Sequence, residues 1–395
     1  MTKIDDMKKS LTLAAIALAA VCLAGCNDKA ERIAAFEQDM EALLGSDSCD
    51  FVGISAVVVK DNKIYYNNNY GVKDLETGEP VDDETMFRIA SISKSFTATS
   101  MMQMIEQGKV SLKDDVSDLV GIPIRNPKYP DVPITLEMLM SHTSSLSDHQ
   151  GYYTLDGVNP ETNPDYALAY RDFAPGEEYR YTNLNFSLSG TILERISGER
   201  FDQYVVHHIL DPLGLYGGYC VDSLDASRFA QLYAWDNEEG KFVKEPEAYN
   251  PRSEIISNYK FGYDTPVFSP TGGMKITALD LARYMIMHMN YGYSPLADVR
   301  IISEESSRDM QTERSEYEHY GLALHQDATL TGDGTVLEGH TGGAYGLAAG
   351  MFFNPEEKYG FVVISSGYHN TSEGKGSPYR SVIPLLYKNF IAEQK

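Results

Sequence analysis

Positive charge is in short supply in this chain. Lys and Arg number 33 against 57 Asp and Glu, which leaves a formal net charge of −24. Nucleic acid and anionic membrane surfaces would be repelled as partners. The imbalance names no substrate, because a local basic pocket can exist on an acidic protein. Cysteine is scarce as well, with four residues at positions 22, 26, 49 and 220. No Cys-x-x-Cys pair and no His-Glu-x-x-His run occurs, so a metal site has no sequence support. Repeats and low-complexity segments are missing too. The one apolar run ahead of the folded part, Leu11 to Leu23, is too short to span a bilayer comfortably. What remains is a globular composition, 43% hydrophobic and 23% charged over 395 residues, enough for a large core in one big domain or two lobes.

Lys3, Lys8 and Lys9 precede that apolar run, and Leu23-Ala24-Gly25-Cys26 closes it. Small residues directly before a cysteine resemble the lipobox of bacterial lipoproteins. That resemblance implies a signal peptide over 1–25, cleavage before Cys26, and acylation of Cys26, so that an exported protein is anchored to a membrane. An ordinary signal peptide cut nearby is the alternative. Residues 26–45 then form a tether and an amino-terminal helix. With Cys22 removed and Cys26 lipidated, Cys49 and Cys220 remain, as a disulfide or as two buried thiols.

Ile33, Phe36, Met40, Leu43 and Leu44 fall at helical spacing within 29–44. Phe51 to Val59 reads as a buried strand, and Asp61-Asn62 turns it into Ile64-Tyr65-Tyr66. A helix follows from Ser91 to Met104. The prolines at 123, 127, 130 and 133 break up the middle, where short helices are expected at 135–140, 188–196 and 201–209. Thr277 caps a helix to His288, with Asp280 three residues on. Strands are expected at 346–353 and 359–366, joined at Asn354-Pro355, with a last helix at 384–391 carrying Pro384 in its first turn. The expected fold is α/β of the α+β type. An antiparallel sheet from the two ends, flanked by terminal helices, makes one lobe (46–96 and 266–395), and a mostly helical second lobe fills 97–265.

Ser91-Ile92-Ser93-Lys94 is where chemistry starts. At the head of a helix, Ser91 and Lys94 share a face one turn apart, and a desolvated neutral lysine can take a serine's proton. Ser-x-x-Lys also occurs at Ser257/Lys260 and Ser372/Lys375. Context separates them, since Ser91 alone follows a hairpin and opens an apolar helix. Two later clusters matter. Tyr181-Thr182-Asn183 offers a phenol that can relay protons beside a lysine and an amide that can orient a substrate amide. His340-Thr341-Gly342-Gly343 lies ahead of the expected strand at 346, where adjacent glycines let a substrate backbone come close.

These three motifs, in this order, resemble the serine β-lactamase and penicillin-binding superfamily. The likeness is closest to the branch of class C β-lactamases, D-Ala-D-Ala carboxypeptidases, D-aminopeptidases and related esterases. Ser141-His142-Thr143-Ser144, Pro212-Leu213-Gly214-Leu215 and Gly272-Gly273 agree with that branch. The resemblance implies Ser91 as acylated nucleophile, Lys94 tuning its proton and Tyr181 as general base or proton shuttle. It implies Asn183, His340 and Thr341 as substrate-binding, and the backbone N–H groups of Ser91 and Gly343 as the oxyanion hole. Metal and cofactor are not needed. His340 departs from the lysine usual in class C enzymes and removes fixed positive charge, since histidine titrates near 6.5 unless perturbed. The departure points toward D-amino-acid peptides or amides. An esterase or weak β-lactamase of the same mechanism, and a penicillin-recognising lipoprotein without turnover, are the alternatives. Spacing leaves the oligomeric state open.

Overall fold

The computed structural model describes residues 28–44, 49–370 and 377–392. Cys26, Ser372 and Lys375 lie outside them. A helix over 28–44 (α1) buries Phe36 and Met40. Gly53–Lys60 (β1) turns back as Lys63–Gly71 (β2), and Asp61 and Asn62 both take positive φ, 50° and 63°, as a tight hairpin turn requires. Ser93–Glu106 (α2) and Asn183–Ser197 (α3) pack together in the helical part, and Ala278–Met289 (α4) returns to the sheet. The chain then forms His325–Asp327 (β3), Leu337–Ala344 (β4), Leu347–Asn354 (β5) and Tyr359–Ser365 (β6), and ends in Pro378–Leu386 (α5).

The main sheet runs β3-β4-β5-β6-β1-β2, every pairing antiparallel. Both of its faces are covered. Ile54, Ala56 and Val58 of β1 pack with Phe36, Val382 and Ile383, while Val57 and Val59 pack with Leu281 and Met285 of α4. Strand side chains alternate between faces, so two covered faces call for a nearly continuous apolar run, as residues 51–59 show with Ser55 the one polar side chain. The mixed α/β fold with a terminal-helix-flanked antiparallel sheet is the one expected. Thr277 caps α4 as anticipated, its hydroxyl accepting from the Asp280 N–H at 3.0 Å.

Four expectations need correction. Helix α3 begins at Asn183, not 188, because the Asp148 carboxylate accepts from the N–H groups of Asn183 and Leu184 and so caps it from 35 residues away. The 201–209 helix is α-helical only over Phe201–Val205 and widens into a π turn at Val206–Leu210. The last helix starts at Pro378, placing Pro384 in its interior, and a π turn at Tyr387–Ile391 follows. His340-Thr341-Gly342-Gly343 does precede a strand, β5, but it also lies inside one, β4, and Tyr345-Gly346, both at positive φ, is the turn between them. Cys220 is an unpaired, buried thiol.

Gly342 sets how close β4 comes to the segment carrying Ser91. A Cβ there would stand 2.3 Å from the Ile89 carbonyl oxygen, so only glycine lets the strand lie against it. Gly342→Ala is expected to lower stability by roughly 1–3 kcal/mol, as overpacking does. A denaturant titration of both proteins checks this.

Candidate active site

Ser91 occupies a 3₁₀ turn, Ala90–Ile92, between strand Met86–Arg88 and α2, not the α-helix itself. Ala90 before it has φ of 43°, a conformation costly for a residue with a Cβ. Flanking structure holds it there: Met86–Arg88 pairs with Lys275–Thr277, and Gly342 presses on Ile89.

Lys94 is 0% exposed. Its Nζ lies 2.9 Å from Asn183 Oδ1, 2.8 Å from the Thr271 carbonyl oxygen and 3.2 Å from Ser91 Oγ. Burial pushes the ammonium down to about 7, against the opposing pull of the Asp148 carboxylate. A neutral amine has two hydrogens and one lone pair. The two carbonyl oxygens can only accept, so they take both hydrogens and leave the lone pair for the Ser91 hydroxyl. Once protonated, the same nitrogen donates to all three partners.

Asp148 makes this arrangement definite. It accepts from Asn183 Nδ2 at 3.0 Å, which turns Oδ1 toward Lys94. The Tyr181 ring lies 4.8 Å from Lys94 Nζ, and Ser91 acts on its hydroxyl, favouring the ionised form. The residue as a whole is 37% exposed. Desolvation of the hydroxyl pushes the phenol well up, with Asp148 adding to it, so Tyr181 keeps its proton. His142 stacks on Tyr181 at 4.3 Å between centroids. Its Nδ1 accepts from the Thr182 N–H and from Asn185 Nδ2, at 3.2 and 3.1 Å, and its Nε2 is buried without a partner among the described residues. Burial keeps His142 neutral.

His340 is 3% exposed. Its Nδ1 donates to the Thr341 carbonyl oxygen at 2.6 Å, so its Nε2 accepts from the Tyr320 hydroxyl at 3.0 Å. Burial, with His325 and Lys94 adding repulsion, holds it well below the ordinary imidazole range. His340 and Thr341 share with Tyr181 the wall of a cavity of about 500 Å³. Because β3 pairs only with residues 337–339, the outer edge of β4 has no partner strand from His340 onward among the described residues. A Cβ at Gly343 would meet only the Leu347 carbonyl oxygen, at 3.9 Å, so this position is open.

Ser91, Lys94, Tyr181 and Asn183 therefore converge on one point, with His340, Thr341 and Gly343 on the facing strand. Ser257 instead donates to the Glu254 carbonyl of an exposed short helix. Sequence reasoning gave no role to Asp148, His142, Tyr320 or the Thr271 carbonyl. Among the described residues no group of three or more His, Cys, Asp or Glu could hold a metal ion.

A serine and a desolvated lysine beneath a tyrosine, at the junction of a sheet and a helical lobe, define the β-lactamase/transpeptidase-like class. The chain belongs to the β-lactamase family, whose description, Beta-lactamase, matches residues 33–382. Protein flp of Staphylococcus aureus (strain MRSA252) is 24% identical over 319 residues, covering 80% of this chain but 59% of the relative. This chain thus spans about three fifths of that relative's length. Esterase EstB of Burkholderia gladioli is 28% identical over 280 residues, 62% of this chain and 69% of the esterase. Among solved structures, D-amino acid amidase from Ochrobactrum anthropi SV3, complexed with D-phenylalanine, superposes with a TM-score of 0.68 at 17% identity. That match covers 91% of this chain and 98% of the amidase and shows a shared fold.

Reactivity of Ser91 should follow the neutral fraction of Lys94. Labelling of Ser91 by a fluorophosphonate is expected to accelerate as pH rises through about 7. Asp148→Asn removes a charge that holds the lysine's pKa up, so the midpoint should move to lower pH. Stopped-time labelling across pH 5–9 (a range of roughly two units either side) measures both.

Proposed function

We propose that the chain is a serine hydrolase that forms an acyl-enzyme on Ser91 and acts on D-amino-acid peptides or amides. The observation that carries this is the Lys94 amine, whose two hydrogens are committed to carbonyl oxygens and whose lone pair is left for Ser91. In the reaction, Ser91 Oγ attacks the acyl carbon as its proton passes to Lys94. The backbone N–H groups of Ser91 and Gly343 hold the oxyanion. Tyr181, a protonated phenol next to Ser91, hands a proton to the departing nitrogen or oxygen and is resupplied from Lys94. Water repeats the sequence to release the acid. Asn183 acts mainly on Lys94, since Asp148 and the amine each occupy one end of its amide.

D-Amino-acid amides are favoured by His340, which stands where class C β-lactamases carry lysine, and the likeness to a D-amino acid amidase fits that choice. An esterase of the same mechanism is the second reading, supported by the likeness to EstB. A penicillin-recognising lipoprotein without turnover would differ by keeping its acyl adduct. Export and anchoring through Cys26 belong to the same proposal, supported by the apolar run and the small residues before that cysteine.

Intact-mass analysis after exposure to a fluorophosphonate should show one adduct on the wild type and none on Ser91→Ala. Tyr181→Phe should slow acylation by about 10²–10⁴-fold. An adduct on Ser91→Ala would remove Ser91 from the mechanism. For the anchor, cells fed labelled palmitate should incorporate it into the wild type and not into Cys26→Ala, and equal labelling of both would refute lipidation there.

A further inference from the structure

The cavity beside Tyr181 has a chemical character that the acyl-enzyme reading leaves unused. Tyr179, Tyr317, Tyr320, His325 and His340 wall it, and Tyr181 and Thr341 join it to the reacting serine. The wall is built by packing: the Tyr179 and Tyr320 rings lie 5.5 Å apart, Tyr179 and Tyr317 5.9 Å, and His325 and His340 5.6 Å. At about 500 Å³ it is large enough for a ring-sized substituent. Its place relative to the chemistry assigns its occupant. The proton for the departing atom comes from the Tyr181 hydroxyl, so the departing half must lie on the Tyr181 side of Ser91, where this cavity begins.

Charge decides which departing groups fit. His340 has both ring nitrogens engaged, one donating to the Thr341 carbonyl and one accepting from Tyr320, and carries no charge to offer. His325 is half-buried, and desolvation pushes it down to about 4. Arg180, the remaining cation of the lining, reaches Glu178 at 3.0 Å and is half-exposed. Glu318 adds a carboxylate to the same rim. Any departing carboxylate would thus be desolvated among aromatic rings with no unpaired cation to meet it, which is costly. A neutral ring would gain stacking and apolar burial.

We propose that this cavity receives the leaving group and selects an uncharged, aromatic or apolar one. The substrates are then amides or esters whose departing half is a neutral amine or alcohol, rather than peptides that release a free amino acid from a carboxyl terminus. In the acylation step the Ser91 Oγ–carbonyl carbon bond forms and the carbonyl carbon–nitrogen or carbon–oxygen bond breaks. The Ser91 proton ends, through Lys94 and Tyr181, on the departing atom. This rests on the acyl-enzyme reading and narrows its substrate class.

The test uses a pair of N-acetyl-D-alanyl esters, one of benzyl alcohol and one of mandelic acid, the second carrying a carboxylate on the carbinol carbon of the same leaving group. Acylation is followed by intact mass and release of the alcohol by kinetics. The benzyl ester should react with kcat/KM higher by about tenfold or more. His340→Lys should narrow that gap by speeding the mandelate ester. Tyr317→Ala, at a residue 65% exposed and so safe for folding, should raise KM for the benzyl ester. Acylation by the mandelate ester as fast as or faster than by the benzyl ester overturns the leaving-group assignment. The absence, with both esters, of any Ser91-dependent adduct and of any Ser91-dependent release of alcohol overturns the acyl-enzyme reading itself.

Discussion

Lys94 is shut off from solvent, and its polar partners among the described residues are two carbonyl oxygens and a serine. Water-free surroundings disfavour the ammonium, while oxygens on three sides favour it, and the balance falls near neutrality. The lysine is therefore a base that can be loaded and unloaded at little cost. His142 and His340, the two imidazoles nearby, are each lowered further by the charge on Lys94. A charge on the lysine thus works against a second one on either imidazole. The Tyr181 ring, 4.8 Å below the nitrogen, gives the loaded state a modest extra stabilisation.

Much of the architecture can be read as what keeps those oxygens in place. Thr271 belongs to the loop before Lys275–Thr277, the same strand that pairs with Met86–Arg88 ahead of Ser91. Both partners of the Ser91–Lys94 contact are thus tied to one small sheet. Asn183 opens α3, and its helix terminus is satisfied by Asp148, whose charge also suits the positive end of the helix. Asp148 does three things with two oxygens: it caps the helix, sets the Asn183 amide, and supplies a negative field that keeps Lys94 from falling further. Gly342 closes the arrangement from the other side by admitting β4 against Ile89.

The parts of this legible in the sequence were those encoded locally. The strand at 51–59, its hairpin, the Thr277 cap and the Ser-Lys spacing depend on neighbours within a few residues, and these read correctly. The start of α3 did not, because its cap lies 35 residues upstream and Asn183-Leu184-Asn185 has no strong helical signature of its own. Strand β4 was missed for a related reason. Gly342-Gly343 argues against a strand on propensity, and only the close approach to Ile89 explains why glycine is wanted there. The Thr271 carbonyl is invisible to any reading of side chains, and Tyr320 is one of 27 tyrosines with nothing to mark it.

His340 shows how a single departure in a motif takes its meaning from packing. The free imidazole would be half-charged near neutral pH, and on that ground alone the site would be a weak cation. Here the Nδ1 proton is fixed by the Thr341 carbonyl and the Nε2 lone pair by the Tyr320 hydroxyl. The histidine becomes a neutral strut between β4 and the aromatic wall. Without a fixed cation across the cleft, Ser91 works against the desolvation that keeps Tyr181 protonated but does not overcome it. A phenol in that state donates and does not abstract. In the proposed reaction the division of labour then follows: the lysine takes the serine's proton, the tyrosine delivers one to the departing atom, and the histidine's neutrality is what keeps the two roles apart.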